Sequence, residues 1–418
     1  MTNNNTTKIG TELRYVPRDL EITLEKYLPL PQILAIVGPR RSGKTTFLTH
    51  IAQKLPESIF LNFEDEDILN LFENDIKSFA KLYVEPHKNI ILDEFQYAKN
   101  GGKNLKYLFD FYPGKKIIIS GSSSLDLTLR AAKYLVGRML EFPLYPFSFE
   151  EFLRAKEPQL EQLIKENTTS KYLTNYIKKY LGEYLIYGGY PEVVLENDLS
   201  VKQTLLKNIY QLYFLKDVTT LTHLVSDWKL KTLVRVLGTN IGGVINYSTL
   251  TSQANVDFKT LKGYLNFLEK TFIVFPVRPF FTNKTKEITK NPKIYFYDLG
   301  LRNALINSFA PTLLRNDLGV LLENFLALRL KAVFGEVYFW RSKAKAEVDF
   351  IVKKRDQLMP IEVKTQLKGA KITRSFQSFL LRYEPQKAYV FNLEFFGQKK
   401  FANTRVNFVP IYYPVVLL

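Results

Sequence analysis

The stretch GPRRSGKT, residues 38–45, constrains what this chain can fold into more tightly than any other segment of it. An apolar run, QILAIV at 32–37, precedes it and reads as a buried strand. Behind it Phe47, Leu48, Ile51 and Leu55 recur at helical spacing. Strand, glycine turn and helix form the context that the pattern G-x-x-x-x-G-K-[ST] requires. Gly38 and Gly43 let the backbone bend, so that successive N–H groups through Pro39, Arg40, Arg41, Ser42 and on to Thr46 can cradle phosphates. The start of the helix adds its partial positive charge. Lys44 is then placed to reach β- and γ-phosphates, and the Thr45 hydroxyl to ligate magnesium. ATP and Mg2+ are the expected cofactors.

A second apolar strand, NIILDEFQ at 89–96, ends in Asp93 and Glu94. A carboxylate at the end of a parallel strand can face the phosphate loop and hold magnesium. The next one, Glu94, is placed to orient and deprotonate an attacking water. A third strand, KKIIISGSSS at 115–124, offers Ser120 or Ser122 near the γ-phosphate as a sensor; an ordinary serine-rich loop is the alternative. Strand IFLNFED presents Asn62, which could help position Glu94.

Composition narrows the remaining chemistry. The 418 residues exceed one compact core, so several domains are expected. With no cysteine, disulfides and Cys-ligated zinc are excluded, and three scattered histidines argue against a His-rich metal site. The polar start MTNNNTTKIG lacks a signal-peptide core, and the apolar end VPIYYPVVLL is too short to span a bilayer. A cytoplasmic protein without a membrane span is expected. Residues 1–150 hold 19 Lys and Arg against 18 Asp and Glu, and the rest of the chain holds 39 against 23. Of the net charge of +17, +16 therefore lies outside the nucleotide domain, which points to a polyanionic partner such as DNA or RNA, or to a solvated basic surface.

GPRRSGKT, ILDEFQ, IIISGSSS and LVGRMLEFPLYPFSFEEF (135–152) together resemble the AAA+ family of prokaryotic ATPases with an appended DUF4143 domain. The resemblance continues through YLIYGGYPEVV (184–194), YFYDLGLRNALI (295–306), GVLLENFL and EVDF, so it runs from about residue 20 to about 370. It implies an AAA+ parallel-sheet core and places Arg138 where an arginine finger would reach a neighbouring subunit. That would imply a homo-oligomer, up to a hexameric ring. The alternative is that Arg138 pairs with an acid at a domain edge. Gly188, Gly189 and Pro191 read as a structural turn after a helix.

Residues 230–298 have the shape of a winged helix-turn-helix: three helices, the first amphipathic and the third with Asp257 as its N-cap, and two strands joined by TNKTKEITKN. Lys259 and Lys262 lie on its presumed recognition helix, and Arg278, Lys284, Lys286, Lys290 and Lys293 on its wing. Such a module contacts duplex phosphates or another protein.

Further on, Glu323 stands among apolar neighbours on a helix, where an ionised carboxylate needs a partner or ligand. Asp349, Glu362 and Lys364 follow on two strands, the last two sharing one face. Together they resemble the PD-(D/E)xK nuclease core. In that reading Asp349 and Glu362 hold magnesium, Glu323 completes the site and Lys364 stabilises developing charge. Nearby Lys343, Lys345, Lys353, Lys354 and Arg355 supply basic surroundings. An inactive fold that keeps these residues for binding is the alternative.

The expected architecture is thus α/β: a P-loop AAA+ core over 1–150, a helical connector over 151–229, a winged helix over 230–298 and a nuclease-like α/β domain over 299–418. The expected work is ATP turnover coupled to gripping, translocating or cutting double-stranded or branched DNA. A nucleotide-controlled switch with a binding-only tail is the alternative.

Overall fold

The structure is a computed structural model and describes residues 15–418 other than 123–133, 167–170, 214–226, 282–286, 288–289, 356 and 416–417. Five strands form the amino-terminal sheet: β1 (Ile33–Val37), β2 (Ser58–Asn62), β3 (Asn89–Asp93), β4 (Lys116–Gly121) and β5 (Met139–Pro143). All their pairings are parallel, in the order β2-β3-β4-β1-β5. Every residue of β1, β3 and β4 is buried, because helices cover both faces and leave no side for alternating polar residues. Leu34, Ile36, Ile91 and Ile118 pack on one face with Phe47, Leu48 and Ile51 of the helix Lys44–Lys54. Ile33, Ala35, Val37, Ile90, Leu92, Ile117 and Ile119 point to the other. That second face shares one continuous core with the helices that follow.

The connector begins with the helix Phe149–Lys156, whose start is a reciprocal cap. The Glu151 N–H donates to Ser148 Oγ at 3.1 Å, and the Ser148 N–H donates to Glu151 Oε2 at 3.0 Å. Helices Lys171–Tyr187, Pro191–Leu195 and Leu199–Tyr213 follow. At residues 187–189 three chain segments interlock. The Phe147 N–H donates to the Gly189 carbonyl at 2.7 Å, and the Gly189 N–H donates to Asp298 Oδ2 at 2.7 Å. A Cβ on Gly189 would lie 2.2 Å from the Phe147 carbonyl oxygen, so only glycine permits this approach. Gly189→Ala is therefore expected to lower the thermal midpoint by several degrees or to abolish soluble expression, as a melting curve will show. The reading of Gly188-Gly189 as structural agrees with this geometry.

Next come the helices Asp227–Thr239, Tyr247–Ala254 and Phe258–Lys270, then an antiparallel ribbon of β6 (Val274–Pro279) and β7 (Lys293–Phe296). Asp257 caps the third helix as expected, accepting the Thr260 N–H at 2.9 Å. The order of elements matches the expected winged helix, but the ribbon does not stand free as a wing. β6 pairs in parallel with β8 (Tyr338–Arg341), aligning Arg278 with Tyr338. The ribbon thereby becomes the end of an eight-stranded mixed sheet, ordered β12-β13-β11-β10-β9-β8-β6-β7. The other members are β9 (Glu347–Lys354), β10 (Gln357–Val363), β11 (Lys387–Asn392), β12 (Gly397–Phe401) and β13 (Thr404–Pro410). The boundary expected at 298 falls inside this sheet. Two helices flank it, Leu318–Phe334 and Arg374–Tyr383. Among the described residues no helix is long and apolar enough to cross a membrane.

Candidate nucleotide site and carboxyl-terminal cluster

The carboxyl ends of β1, β3 and β4 meet at one edge of the parallel sheet, where strand ends and the following helix leave room for a ligand. β4 lies between β1 and β3, which brings Ser120 beside Asp93. Gly43 has φ 90°, a left-handed conformation that opens the helix Lys44–Lys54 directly after the loop. Lys44 is buried, and its Nζ donates to the carbonyls of Gly38 at 3.1 Å and Pro39 at 2.9 Å. The Thr45 hydroxyl donates to Asp93 Oδ2 at 2.7 Å. The Ser120 hydroxyl donates to the other carboxylate oxygen of Asp93, and its oxygen accepts the Glu94 N–H at 3.1 Å. A hydroxyl and a carboxylate in contact at a strand end are hard oxygen donors of the kind magnesium takes.

Glu94 has φ 54°, a left-handed conformation that costs a residue with a Cβ about 1 kcal/mol. Burial pushes its carboxyl above the ordinary value, while Lys44, Gln96 and Arg40 pull it back. Phe95 anchors the turn in the core against Phe63 and Phe72, and Gln96 Nε2 donates to Glu94 Oε2. Asn62, expected to help position Glu94, instead accepts the Glu64 N–H at 2.9 Å and so caps its own turn. Ser122 is buried at the end of β4 with its N–H on Gln96 Oε1 at 3.3 Å; Ser123 and Ser124 lie outside the described residues.

The loop's two arginines divide their work. Arg40 contributes to the field at Glu94 and bonds the Tyr97 hydroxyl. Arg41 pairs with Glu192 at 2.6 Å, joining the loop to the helix Pro191–Leu195. The buried Arg18, which nothing in the sequence marked, donates to the carbonyl of Ser42 at 3.0 Å and lies 3.1 Å from Glu151. It braces the loop from beneath. Arg138 sits at the start of β5, at the opposite end of the sheet from the loop, and pairs with Asp110 at 3.1 Å. That is the domain-edge pairing given above as the alternative to an arginine finger.

In the eight-stranded sheet the expected nuclease-like residues gather, but around a cation of the chain's own. Lys293 is buried, with Nζ 3.0 Å from Glu323 Oε1 and 2.7 Å from Glu347 Oε1. Tyr295 donates its hydroxyl to the same Glu323 oxygen. Burial works against the charge of Lys293, yet Glu323, Asp349 and Glu347 hold its pKa above the ordinary value. Burial and then Glu323 push the carboxyl of Asp349 well up, while Lys293, the Val363 N–H and Lys364 pull it down. Glu362 accepts the Thr373 hydroxyl at 2.9 Å and pairs with Lys364 at 2.7 Å.

Two expectations are corrected here. Lys293 is no wing residue facing phosphates, because β7 lies against the helix Leu318–Phe334 and needs its charge inside. Glu323 has an ammonium and a phenol as partners, and among the described residues no three His, Asp or Glu side chains converge to hold a metal ion. Glu323 thus does not complete the magnesium site expected with Asp349 and Glu362; Asp349 accepts the Val363 N–H at 2.8 Å and Glu362 the Thr373 hydroxyl at 2.9 Å. Of the other wing residues, Arg278 and Lys290 are exposed, while Lys284 and Lys286 lie outside the described residues. Lys343, Lys345, Lys353, Lys354 and Arg355 are exposed.

The parallel sheet, its glycine loop and the Thr45–Asp93–Ser120 edge define a P-loop nucleotide-hydrolase core. Residues 30–153 match the AAA domain family, residues 178–312 a domain of unknown function (DUF8612) and residues 318–413 the domain of unknown function DUF4143. The chain thus carries an AAA domain over residues 30–153 and a DUF4143 domain over residues 318–413. Uncharacterized protein MJ1544 of Methanocaldococcus jannaschii is 29% identical over 357 residues, 82% of this chain and 76% of that one. An uncharacterized protein of Haemophilus influenzae is 27% identical over 349 residues, 79% of this chain and 82% of that one. Among solved structures, the Walker-type ATPase PABY2304 of Pyrococcus abyssi matches with a TM-score of 0.46 at 16% identity, covering 70% of this chain and 96% of that one.

Proposed function

We propose that this ATPase uses magnesium and couples ATP turnover to gripping or moving along DNA, with its carboxyl-terminal domain binding rather than cutting. Magnesium bound at Thr45 and Asp93 would draw off charge from the β- and γ-phosphates. Lys44 then leaves the carbonyls of Gly38 and Pro39 for the phosphates and supports the charge that builds on the leaving group. Glu94 orients the attacking water and takes its proton, and Ser120 keeps Asp93 and the Glu94 backbone in register.

One observation carries the DNA half of the reading. The helix Phe258–Lys270 exposes Lys259, Lys262 and Asn266 along one side. Lys262 Nζ lies 3.9 Å from the ring centroid of Tyr247, and Phe258 beside it is largely exposed. Cations on a helix face with an amide among them suit phosphate and base-edge contact, and the excess basic charge lies in this part of the chain. The buried ammonium at Glu323 favours a tail that binds without metal-dependent cleavage.

The test compares ATP turnover with and without duplex, branched and single-stranded DNA. Stimulation by DNA is expected; slow turnover that DNA leaves unchanged would instead indicate a nucleotide-controlled switch. Exchanging Lys259 and Lys262 for glutamate should weaken DNA binding at least about tenfold and flatten its salt dependence, with DNA-free turnover unchanged. A labelled duplex incubated with Mg2+ should remain uncut; cleavage lost in Glu362→Ala would overturn the binding-only tail.

A further inference from the structure

The turn that follows β3 holds a side chain whose position has a bearing on the reaction itself. Glu94 adopts φ 54° and is followed by a single 3-10 turn, Phe95–Tyr97. Phe95 is buried in the core and fixes that turn. The left-handed step at Glu94 folds Gln96 back, so that its amide reaches the Glu94 carboxylate. The other end of the amide accepts the Ser122 N–H at 3.3 Å, at the tip of β4. One orientation of the amide satisfies both neighbours: Nε2 toward a carboxylate that only accepts, Oε1 toward an N–H that only donates. Gln96 thus links the Glu94 carboxylate to the end of the strand that carries Ser120. Asn62, the residue on the neighbouring strand expected to hold Glu94, accepts the Glu64 N–H.

We infer that Gln96 is a positioning residue for ATP hydrolysis: it holds the Glu94 carboxylate in line for the attacking water and ties that position to the end of β4. The inference rests on the proposed role of Glu94 as the base. A group held by one hydrogen bond from each side loses its in-line geometry when the clamp is cut, and misplacement of about 1 Å can cost a hundredfold in rate.

The experiment measures kcat, KM and nucleotide affinity for the full chain carrying Gln96→Ala, Gln96→Glu and Glu94→Gln. Gln96→Ala should lower kcat by about ten- to a hundredfold, with KM and the dissociation constant of a fluorescent ATP analogue within about threefold of the parent. Gln96→Glu keeps the size of the side chain and an acceptor for Ser122 but sets a negative charge against Glu94. Positioning predicts a kcat below that of Gln96→Ala, whereas a purely structural role predicts one nearer the parent. In the Glu94→Gln background, Gln96→Ala should add less than about twofold in single-turnover measurements, because both changes remove one function.

An unchanged kcat in Gln96→Ala, or a Gln96→Glu variant faster than Gln96→Ala, overturns the inference. So does an undiminished effect of Gln96→Ala in the Glu94→Gln background. Parent-level turnover in Glu94→Gln would instead remove the base itself, and with it the proposed mechanism. Thermal midpoints and nucleotide affinity separate either outcome from misfolding.

Discussion

Lys44→Ala is expected to reduce ATP turnover by at least about two orders of magnitude while leaving the fold intact and the proposed DNA binding without nucleotide largely unchanged. The lysine is buried under the loop, and its Nζ donates to backbone carbonyls of the loop itself, Gly38 and Pro39. Those two carbonyls stand at the mouth of the phosphate cradle, so a small swing carries the ammonium to the β- and γ-phosphates. Alanine removes that charge, and neither Arg41, engaged with Glu192, nor Arg18, engaged with the carbonyl of Ser42, replaces it. The fold should survive, because the helix Lys44–Lys54 is held by Phe47, Leu48 and Ile51 rather than by Lys44. A steady-state phosphate-release assay, with a melting curve beside it, decides the matter. Turnover at the parent rate would dissolve the site assignment.

The second large effect is on stability. Asp317 accepts two bonds from Arg315, at 2.7 and 2.8 Å, and one from Arg302 at 2.7 Å. Both guanidiniums are almost fully buried, and Arg302 also donates to the Gly238 carbonyl at 2.7 Å. Asp317→Ala would leave two buried cations facing each other, a change that typically costs about 3–5 kcal/mol. Chemical denaturation should show the loss; a change below about 1 kcal/mol would mean that water reaches these arginines. The same carboxylate gives a pH signature. Burial alone would raise its pKa, but the two arginines hold it at about 2, against about 3.9 in an unfolded chain. Its stabilising contribution is therefore complete above the unfolded value and is lost as pH falls toward 2. In Asp317→Asn that part of the acid sensitivity should be absent.

Much of the nucleotide site was legible because its geometry is local. A glycine loop between an apolar strand and a helix fixes where Lys44 and Thr45 point, and an apolar strand ending in two acids fixes Asp93 and Glu94. Ser120 needed one further step, the neighbouring of β4 and β3, and that also held. Arg18 and Glu192 escaped notice because their partners are 24 and 151 residues away and belong to turns with no periodic signal. Gln96 escaped for a different reason: its role depends on the left-handed backbone at Glu94, which a residue with a Cβ does not advertise. Lys293 was misread because a run of lysines looks like a solvated wing until the sheet pairing is known. The sequence held one clue, Glu323 on an apolar helix face that had to find a partner. The partner came from a strand thirty residues earlier.

The parallel pairing of β6 with β8 has a consequence for how this chain can be rearranged. Recombination that exchanged the segment after residue 317 alone would strip β8 of a neighbour and leave the ammonium of Lys293 on one molecule and its carboxylates on another. The smallest piece that carries its own sheet and its own charge balance starts before β6, and the helix before β6 packs against that strand as well. Modular shuffling of this tail onto a different ATPase domain should succeed only when the helices and ribbon travel with it as one cassette.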